Sequence, residues 1–309
     1  MNVVEANSLR VAYRTGFWKN KIKVALEDLS LSVGPNEVLG LLGPNGAGKT
    51  TTIKCIVGLT APNSGAVRLF DMPATEPEAR KRLGFLPEQP YFYDHLTARE
   101  LLSYYAQLSG LANASTHITR ALERVRLDDS PTPLRKYSKG MLQRLGIAQA
   151  ILHDPELVVL DEPMSGLDPV GRREVRELIQ QFKAEGRAVL FSTHVLSDAE
   201  AICDRVAVIA QGKLRGVATV SELLATTHGV MEIIWQGSAK LITPLGIQAI
   251  TAGDTSSAQV AEADLPRVLD LLRAANTRLI SINPVRGTVE DYFIETVNRS
   301  RSDAPRDSA

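Results

Sequence analysis

Only two cysteines occur in the 309 residues. Cys55 and Cys203 have no CxxC partner, and each falls in a segment expected to be helical. That excludes a disulfide framework or a thiolate metal site and leaves buried, reduced thiols. No apolar run approaches the roughly 18 to 20 residues that cross a bilayer, and Met1-Asn2-Val3-Val4-Glu5 lacks the basic and apolar regions of a signal peptide. The chain is therefore expected in the cytoplasm. Net charge is missing too: 35 Lys and Arg face 35 Asp and Glu. This argues against a nucleic-acid partner, whose phosphates demand a basic surface, and offers no polybasic anchor for anionic lipid. Sustained heptads are absent, so no long coiled coil is expected. The length suits one large domain with an appendage.

What is present is a loop of unusual information content. Gly43-Pro44-Asn45-Gly46-Ala47-Gly48-Lys49-Thr50-Thr51 follows the apolar run Val38 to Leu42 and precedes a helix expected from about Lys49. Glycines let such a loop curl so that successive N–H groups face phosphate oxygens, and the helix N-terminus adds a favourable dipole. Lys49 is expected on the β- and γ-phosphates, and the Thr50 hydroxyl on Mg²⁺. The pattern predicts ATP or GTP binding. A GTPase is disfavoured because no N-K-x-D motif occurs: Asn20-Lys21-Ile22-Lys23 lacks the aspartate.

Four more segments narrow the chemistry. Leu157-Val158-Val159-Leu160 reads as a buried parallel strand ending in Asp161 and Glu162. Asp161 would accept from Mg²⁺-bound water, while Glu162, facing the other way, would polarise the water that attacks the γ-phosphate. In Ser165-Gly166-Leu167-Asp168-Pro169, Asp168 reads as a helix N-cap and Pro169 as the first helical residue. Ala188 to Thr193 reads as another buried strand, delivering His194 to the sheet edge where open α/β folds bind ligands. Tyr137-Ser138-Lys139-Gly140-Met141 opens a helix whose apolar positions repeat at helical spacing. Its small residues are expected to leave the N-terminus bare, which favours an anion.

The ordered set resembles the nucleotide-binding subunits of ABC transporters. The resemblance implies a fold: a P-loop NTPase core of mainly parallel α/β sheet, an N-terminal antiparallel β subdomain, and an inserted helical subdomain at about 90–155. It also implies roles. Gly43 to Thr51 is similar to Walker A, Asp161 with Glu162 to Walker B plus catalytic glutamate, Ser165, Gly166, Leu167 and Asp168 to the D-loop, and His194 to the switch histidine. Tyr13 resembles the aromatic residue that stacks on adenine. Ser138, Lys139, Gly140 and Met141 resemble the signature that contacts ATP held by a second subunit, although the usual L-S-G-G-Q here reads Tyr-Ser-Lys-Gly-Met. Gly84 to Pro90 resembles the Q-loop region, with Glu88 where glutamine is common and Gln89 after it; the sequence does not choose between them. The implied cofactors are ATP and Mg²⁺. The implied partners are an integral-membrane permease and a second copy of the chain or a homologous ATPase subunit, at the cytoplasmic face of the membrane.

Around these motifs, Val3 to Tyr13 and Leu29 to Val33 are expected as antiparallel strands bracketing a basic aromatic insertion, Arg14 to Lys23. Within it, Phe17 and Trp18 are read as covering core rather than extending the adenine platform. Ala66 to Phe70 suggests a short strand. Helical pattern runs from His95 to Val125 and opens with a capping box of Thr97 and Glu100. Ser197 and Glu200 are expected to cap a later helix, and Arg205 to Ala210 with Lys213 to Ala218 to form a hairpin turning at Gln211-Gly212. The ATP-binding domain is drawn as 1–225 and a small α+β C-terminal domain as 226–299. Strands are expected at Val230 to Trp235 and Arg278 to Ile282, helices at Leu265 to Ala275 and Val289 to Val297, and a disordered tail at 300–309. This last domain resembles the extension on ATPase subunits paired with ABC-2-type exporters. Two other readings stay open: a soluble ABC-type ATPase acting as a clamp on ribosome or nucleic acid, and a non-hydrolysing, nucleotide-gated module.

Overall fold

The computed structural model describes residues 1–15 and 21–302. It divides into two compact units, one formed by Met1–Val220 with the chain from Phe293 onward, the other by Ser221–Tyr292. Along the first unit run β1 (Val4–Thr15), β2 (Lys21–Val33), β3 (Val38–Leu42), α1 (Lys49–Ile56), β4 (Ser64–Leu69), β5 (Met72–Pro73), α2 (Pro77–Lys81) and β6 (Leu83–Leu86). Three helices follow, α3 (Ala98–Leu108), α4 (Ala114–Arg124) and α5 (Lys139–Ile151), then β7 (Leu157–Leu160), α6 (Pro169–Ala184), β8 (Ala188–Thr193), α7 (Leu196–Ile202), β9 (Arg205–Ala210) and β10 (Lys213–Thr219).

Two sheets result. The first has the order β2-β1-β4-β5 and is antiparallel; the second has the order β10-β9-β3-β8-β7-β6. In the second, β9, β3, β8, β7 and β6 are parallel and β10 is an antiparallel edge. Every residue of β3, β7 and β8 is buried. That is why these strands read as unbroken apolar runs: a parallel sheet is covered on both faces. Val159, Leu190 and Leu41 share one core with Leu9, Leu29 and Val67 of the antiparallel sheet.

Local signals hold at most boundaries. Thr97 Oγ1 accepts from Glu100 N at 3.2 Å while the Glu100 carboxylate accepts from Thr97 N at 2.8 Å, completing the capping box of α3. Gln211 and Gly212 both take positive φ, 53° and 75°, the pair a two-residue hairpin turn requires. Other expectations are corrected. β2 begins at Lys21 rather than Leu29, so Arg14, Thr15 and Lys21 to Lys23 extend a hairpin instead of forming an insertion. Phe17 and Trp18 lie outside the described residues. Helix α7 has Val195 at its N-cap with no side-chain cap, so Ser197 lies inside the first turn. The chain bends one residue earlier, where Thr193 Oγ1 accepts from Val195 N at 3.0 Å. Cys203 follows α7 rather than lying within it.

The second unit carries β11 (Thr226–Gln236), β12 (Ala249–Ala252), β13 (Thr255–Ala261), helix α9 (Leu265–Ala274) and β14 (Leu279–Arg286). The short helix α8 (Val220–Leu223) comes before them and α10 (Val289–Ser302) after, so residues 300–302 are helical and the rest of the expected tail lies outside the described residues. Its antiparallel sheet has the order β12-β13-β11-β14. Ile233, Trp235, Ala258 and Val260 alternate onto one face and bury against Ile242, Val268 and Leu272.

Both cysteines are buried and unpaired. Burial pushes the Cys55 thiol up to about 11, and burial followed by Asp204 and Asp198 raises that of Cys203. The thiolate is the reactive form, so neither thiol is expected to react with an aromatic disulfide reagent at pH 8 until the chain is unfolded. A native thiol titrating within minutes would contradict this burial.

Candidate nucleotide site

Strand register gathers the expected residues at one sheet edge. Leu42 lies opposite Thr193, Leu160 opposite Phe191, and Leu86 opposite Leu160. Gly43, Asp161, His194 and Pro87 therefore leave their strands on the same side, the C-terminal edge. The loop after β3 turns tightly, Ala47 N donating to Pro44 O at 3.1 Å. Gly48 has φ +114°, and a Cβ there would meet Leu26 Cδ2 at 2.8 Å and the Ala25 carbonyl at 2.9 Å. Only glycine tolerates both that dihedral and that approach. The turn of the β9–β10 hairpin fixes the loop from outside: Gly212 N donates to Ala47 O, and Glu27 N donates to Gly212 O, each at 2.8 Å.

Inside the loop, Lys49 Nζ donates to Gly43 O at 2.7 Å and lies 3.1 Å from Glu162 Oε1. The other Glu162 oxygen is 2.9 Å from His194 Nδ1. A carboxylate only accepts, so His194 Nδ1 is the donor in this contact. Lys49 and Glu162 are 6% and 8% exposed, so this pair is shielded from solvent. Glu162 holds φ +49°, a conformation uncommon outside glycine that concentrates at functional sites. Asp161 faces away, accepting from Ser192 Oγ at 2.6 Å, and that oxygen accepts from Glu162 N at 2.8 Å. Ser192 thus fixes both acids. Sequence reading passed over it, although a hydroxyl in a buried strand needs a partner.

A cavity of about 560 Å³ opens above the loop, lined by Tyr13, Lys23, Ala25, Pro44 to Thr51, Glu88, Glu162, Ser165 and His194. That volume suits a nucleotide-sized ligand. Lys23 pairs with Tyr13 in the hairpin register and was not expected in the site. Glu88 lines the cavity and Gln89 does not.

A family model described as ABC transporter matches residues 26–165. An uncharacterized ABC transporter ATP-binding protein of Synechocystis sp. is 41% identical over 298 residues, spanning 95% of this chain and 84% of its own length. A fluoroquinolones export ATP-binding protein of Mycobacterium tuberculosis is 34% identical, spanning 94% of this chain and 93% of its own length. The chain belongs to the ABC transporter ATP-binding family, a family of ATPases. Among solved structures, an ATP-binding subunit of an ABC transporter aligns at TM-score 0.63 with 32% identity, covering 72% of this chain and 91% of that one. A dimeric ATP-binding cassette in a post-hydrolysis state bound to ADP and Pi aligns at TM-score 0.64 with 22% identity, over 70% of this chain and 98% of that one, a likeness of fold. No helix among the described residues is long and apolar enough to cross a membrane.

The remaining motifs of this ABC ATP-binding chain divide between the cleft and its surroundings. Asp168 Oδ1 accepts from Gly171 N at 2.8 Å and caps α6, with Pro169 first in the helix. Ser165 lines the cavity, whereas Ser138, Lys139, Gly140 and Met141 do not. At the start of α5, Ser138 Oγ accepts from Met141 N at 3.2 Å and so caps one N–H of the first turn. Beneath it Tyr137 is buried, and that burial, with Asp128 and Asp129, raises its phenol. The Lys139 side chain extends to Gly166, its Nζ occupying the space a Cβ would take there.

Proposed function

We propose that this chain hydrolyses Mg-ATP as one of a pair of cassettes, and that the cycle drives a separate membrane permease, most simply an exporter of the ABC-2 type. The observation that carries the reading is the Glu162 carboxylate, held between Lys49 at 3.1 Å and His194 at 2.9 Å on the wall of the P-loop cleft. In that position Glu162 accepts the proton as water oxygen bonds to the γ-phosphorus and the bond to the β,γ-bridging oxygen breaks, ADP departing with the electron pair. His194 aims the carboxylate. Lys49 and the loop N–H groups hold the phosphates, and Tyr13 stacks on the base. Thr50 directly and Asp161 through a bound water would hold Mg²⁺, which would supply charge neutralisation on the phosphates. Asp168 shapes the D-loop, and Glu88 is the nearer candidate for the Q-loop role.

Ser138, Lys139, Gly140 and Met141, outside the chain's own cleft, serve the ATP of the partner cassette, whether a second copy or a homologue. Two ATP molecules close the pair, and hydrolysis removes the bridging charge. The export name of the Mycobacterium tuberculosis relative, similar over 94% of the chain, supports outward transport. The working location is peripheral, at the cytoplasmic face of the membrane. Purification of the tagged chain from detergent-solubilised cells with a non-hydrolysable ATP analogue is expected to recover a polytopic membrane protein in near-equal amount. Recovery of ribosomal or other soluble partners instead would keep the ATPase and remove the transporter reading.

A further inference from the structure

We propose that the small cavity between the D-loop and the start of α7 is a transit site for orthophosphate leaving the nucleotide cleft. The proposal rests on the reading above, that ATP is cleaved beside Glu162. The cavity measures about 90 Å³, and Glu162, Ser165 and His194 line both it and the nucleotide cleft, so the two spaces share a wall. A water molecule needs about 10–15 Å³ of such space, so the chamber admits an anion of four oxygens.

The direction is set by the chemistry. In an in-line displacement the attacking oxygen enters opposite the departing ADP, which here is the Glu162 side. Inversion at phosphorus therefore moves the cleaved phosphate away from the loop and toward this wall.

One donor of the chamber suits that ligand. Arg172 lines this space and not the nucleotide cleft, and its Nη2 donates to Asp198 Oδ2 at 2.5 Å. Arg176 Nη1 lies 3.6 Å from the other oxygen of the same carboxylate, and Asp198 is only 2% exposed. The two carboxylates that face the chamber are thus already held, Glu162 by Lys49 and His194, Asp198 by two guanidinium groups. Lys139 Nζ rests on Gly166, another wall residue. The lining itself therefore carries one guanidinium, Arg172, beside two carboxylates, with Lys49, Arg176 and Lys139 reaching the wall only through the residues they hold. Among the described residues the remaining N–H groups of Arg172 have no protein partner, and a guanidinium fork is the donor best matched to phosphate oxygens.

Arg172 and Arg176 provide a built-in comparison. Both hold Asp198, but only Arg172 lines the chamber. Steady-state ATPase of the full-length chain would be measured with added inorganic phosphate for wild type, Arg172→Met, Arg172→Lys and Arg176→Met. The expected result is a phosphate inhibition constant raised at least about tenfold in Arg172→Met, partly restored in Arg172→Lys, and within about twofold of wild type in Arg176→Met. ADP affinity should stay within about twofold throughout. Equal effects in both Met variants would reduce Arg172 to a structural partner of Asp198 and overturn the transit site alone. A wild-type chain, supplied with its membrane partner, that releases no phosphate from ATP would overturn the hydrolytic reading and this site together.

Discussion

Glu162→Gln is expected to lower ATP turnover by about 10²- to 10⁴-fold, the usual loss on removing a general base, while tightening ATP binding severalfold. The second effect follows from geometry. The cation proposed for the β- and γ-phosphates is also engaged by the chain's own acid, Lys49 Nζ lying 3.1 Å from Glu162 Oε1 in a site shielded from water. The phosphates and that carboxylate therefore share one ammonium. Glutamine keeps the shape and removes the charge, so Lys49 loses its ion pair while keeping neutral acceptors such as the Gly43 carbonyl at 2.7 Å and gains more from an incoming phosphate. Phosphate release, equilibrium ATP binding and light scattering would be measured on the same preparation. The expected profile is slow hydrolysis, a lower Kd and an ATP-dependent dimer. Normal turnover would remove Glu162 from its catalytic role, and a weaker Kd would remove the competition argument.

Lys49→Ala should act in the opposite sense on binding and add a stability loss. It deletes the phosphate cation, so ATP affinity should fall by more than about 10²-fold, the scale of a charge-assisted contact in a low-dielectric site. It also leaves the Glu162 carboxylate, 8% exposed, without its ammonium partner. Breaking a buried pair from one side costs about 3 kcal/mol or more. The double variant Lys49→Ala with Glu162→Gln separates the two consequences: the melting transition lost in the single variant should largely return, and ATP binding should not. Thermal unfolding and nucleotide titration of the four proteins would test this. A double variant no more stable than Lys49→Ala would mean that the pair carries no stability.

Much of this site is legible in the sequence because its parts are local. A P-loop is a contiguous run of glycines ending in Lys49, and its strand and helix follow from neighbouring residues. The ends of β7 and β8 announce themselves as apolar runs that stop at Asp161 and His194. Contacts between distant positions are not written that way. Lys49 meets Glu162, and Ser192 ties Asp161 to Glu162, through a register that only the assembled sheet sets. Lys23 joined the cleft because β2 begins at Lys21, although Ile22 and Val24 are 70% and 44% exposed. Strands whose apolar residues face solvent give weak periodic signals. The β12–β13 hairpin was missed for a related reason. Its residues Ala249 to Ala261 are mainly small or polar, and Ser256 occupies a buried position. The α7 cap misled because an Ser-x-x-Glu pattern was present, while the chain had already turned at Thr193 and Val195.

The bond from Gly212 N to Ala47 O also has a bearing on how the protein is made. The loop that cradles phosphate is synthesised early, yet its outer fastening arrives about 165 residues later, and its parent strand β3 pairs only with β8 and β9, also late segments. At ordinary elongation rates that delay is roughly 10–30 s. For most of it β3 has no sheet neighbour, since β8 begins only at Ala188, and for all of it the loop lacks its hairpin rivet. Assembly of the loop's surroundings is thereby tied to synthesis as far as the β9–β10 turn, and a chain truncated before Gly212 is expected to bind nucleotide poorly.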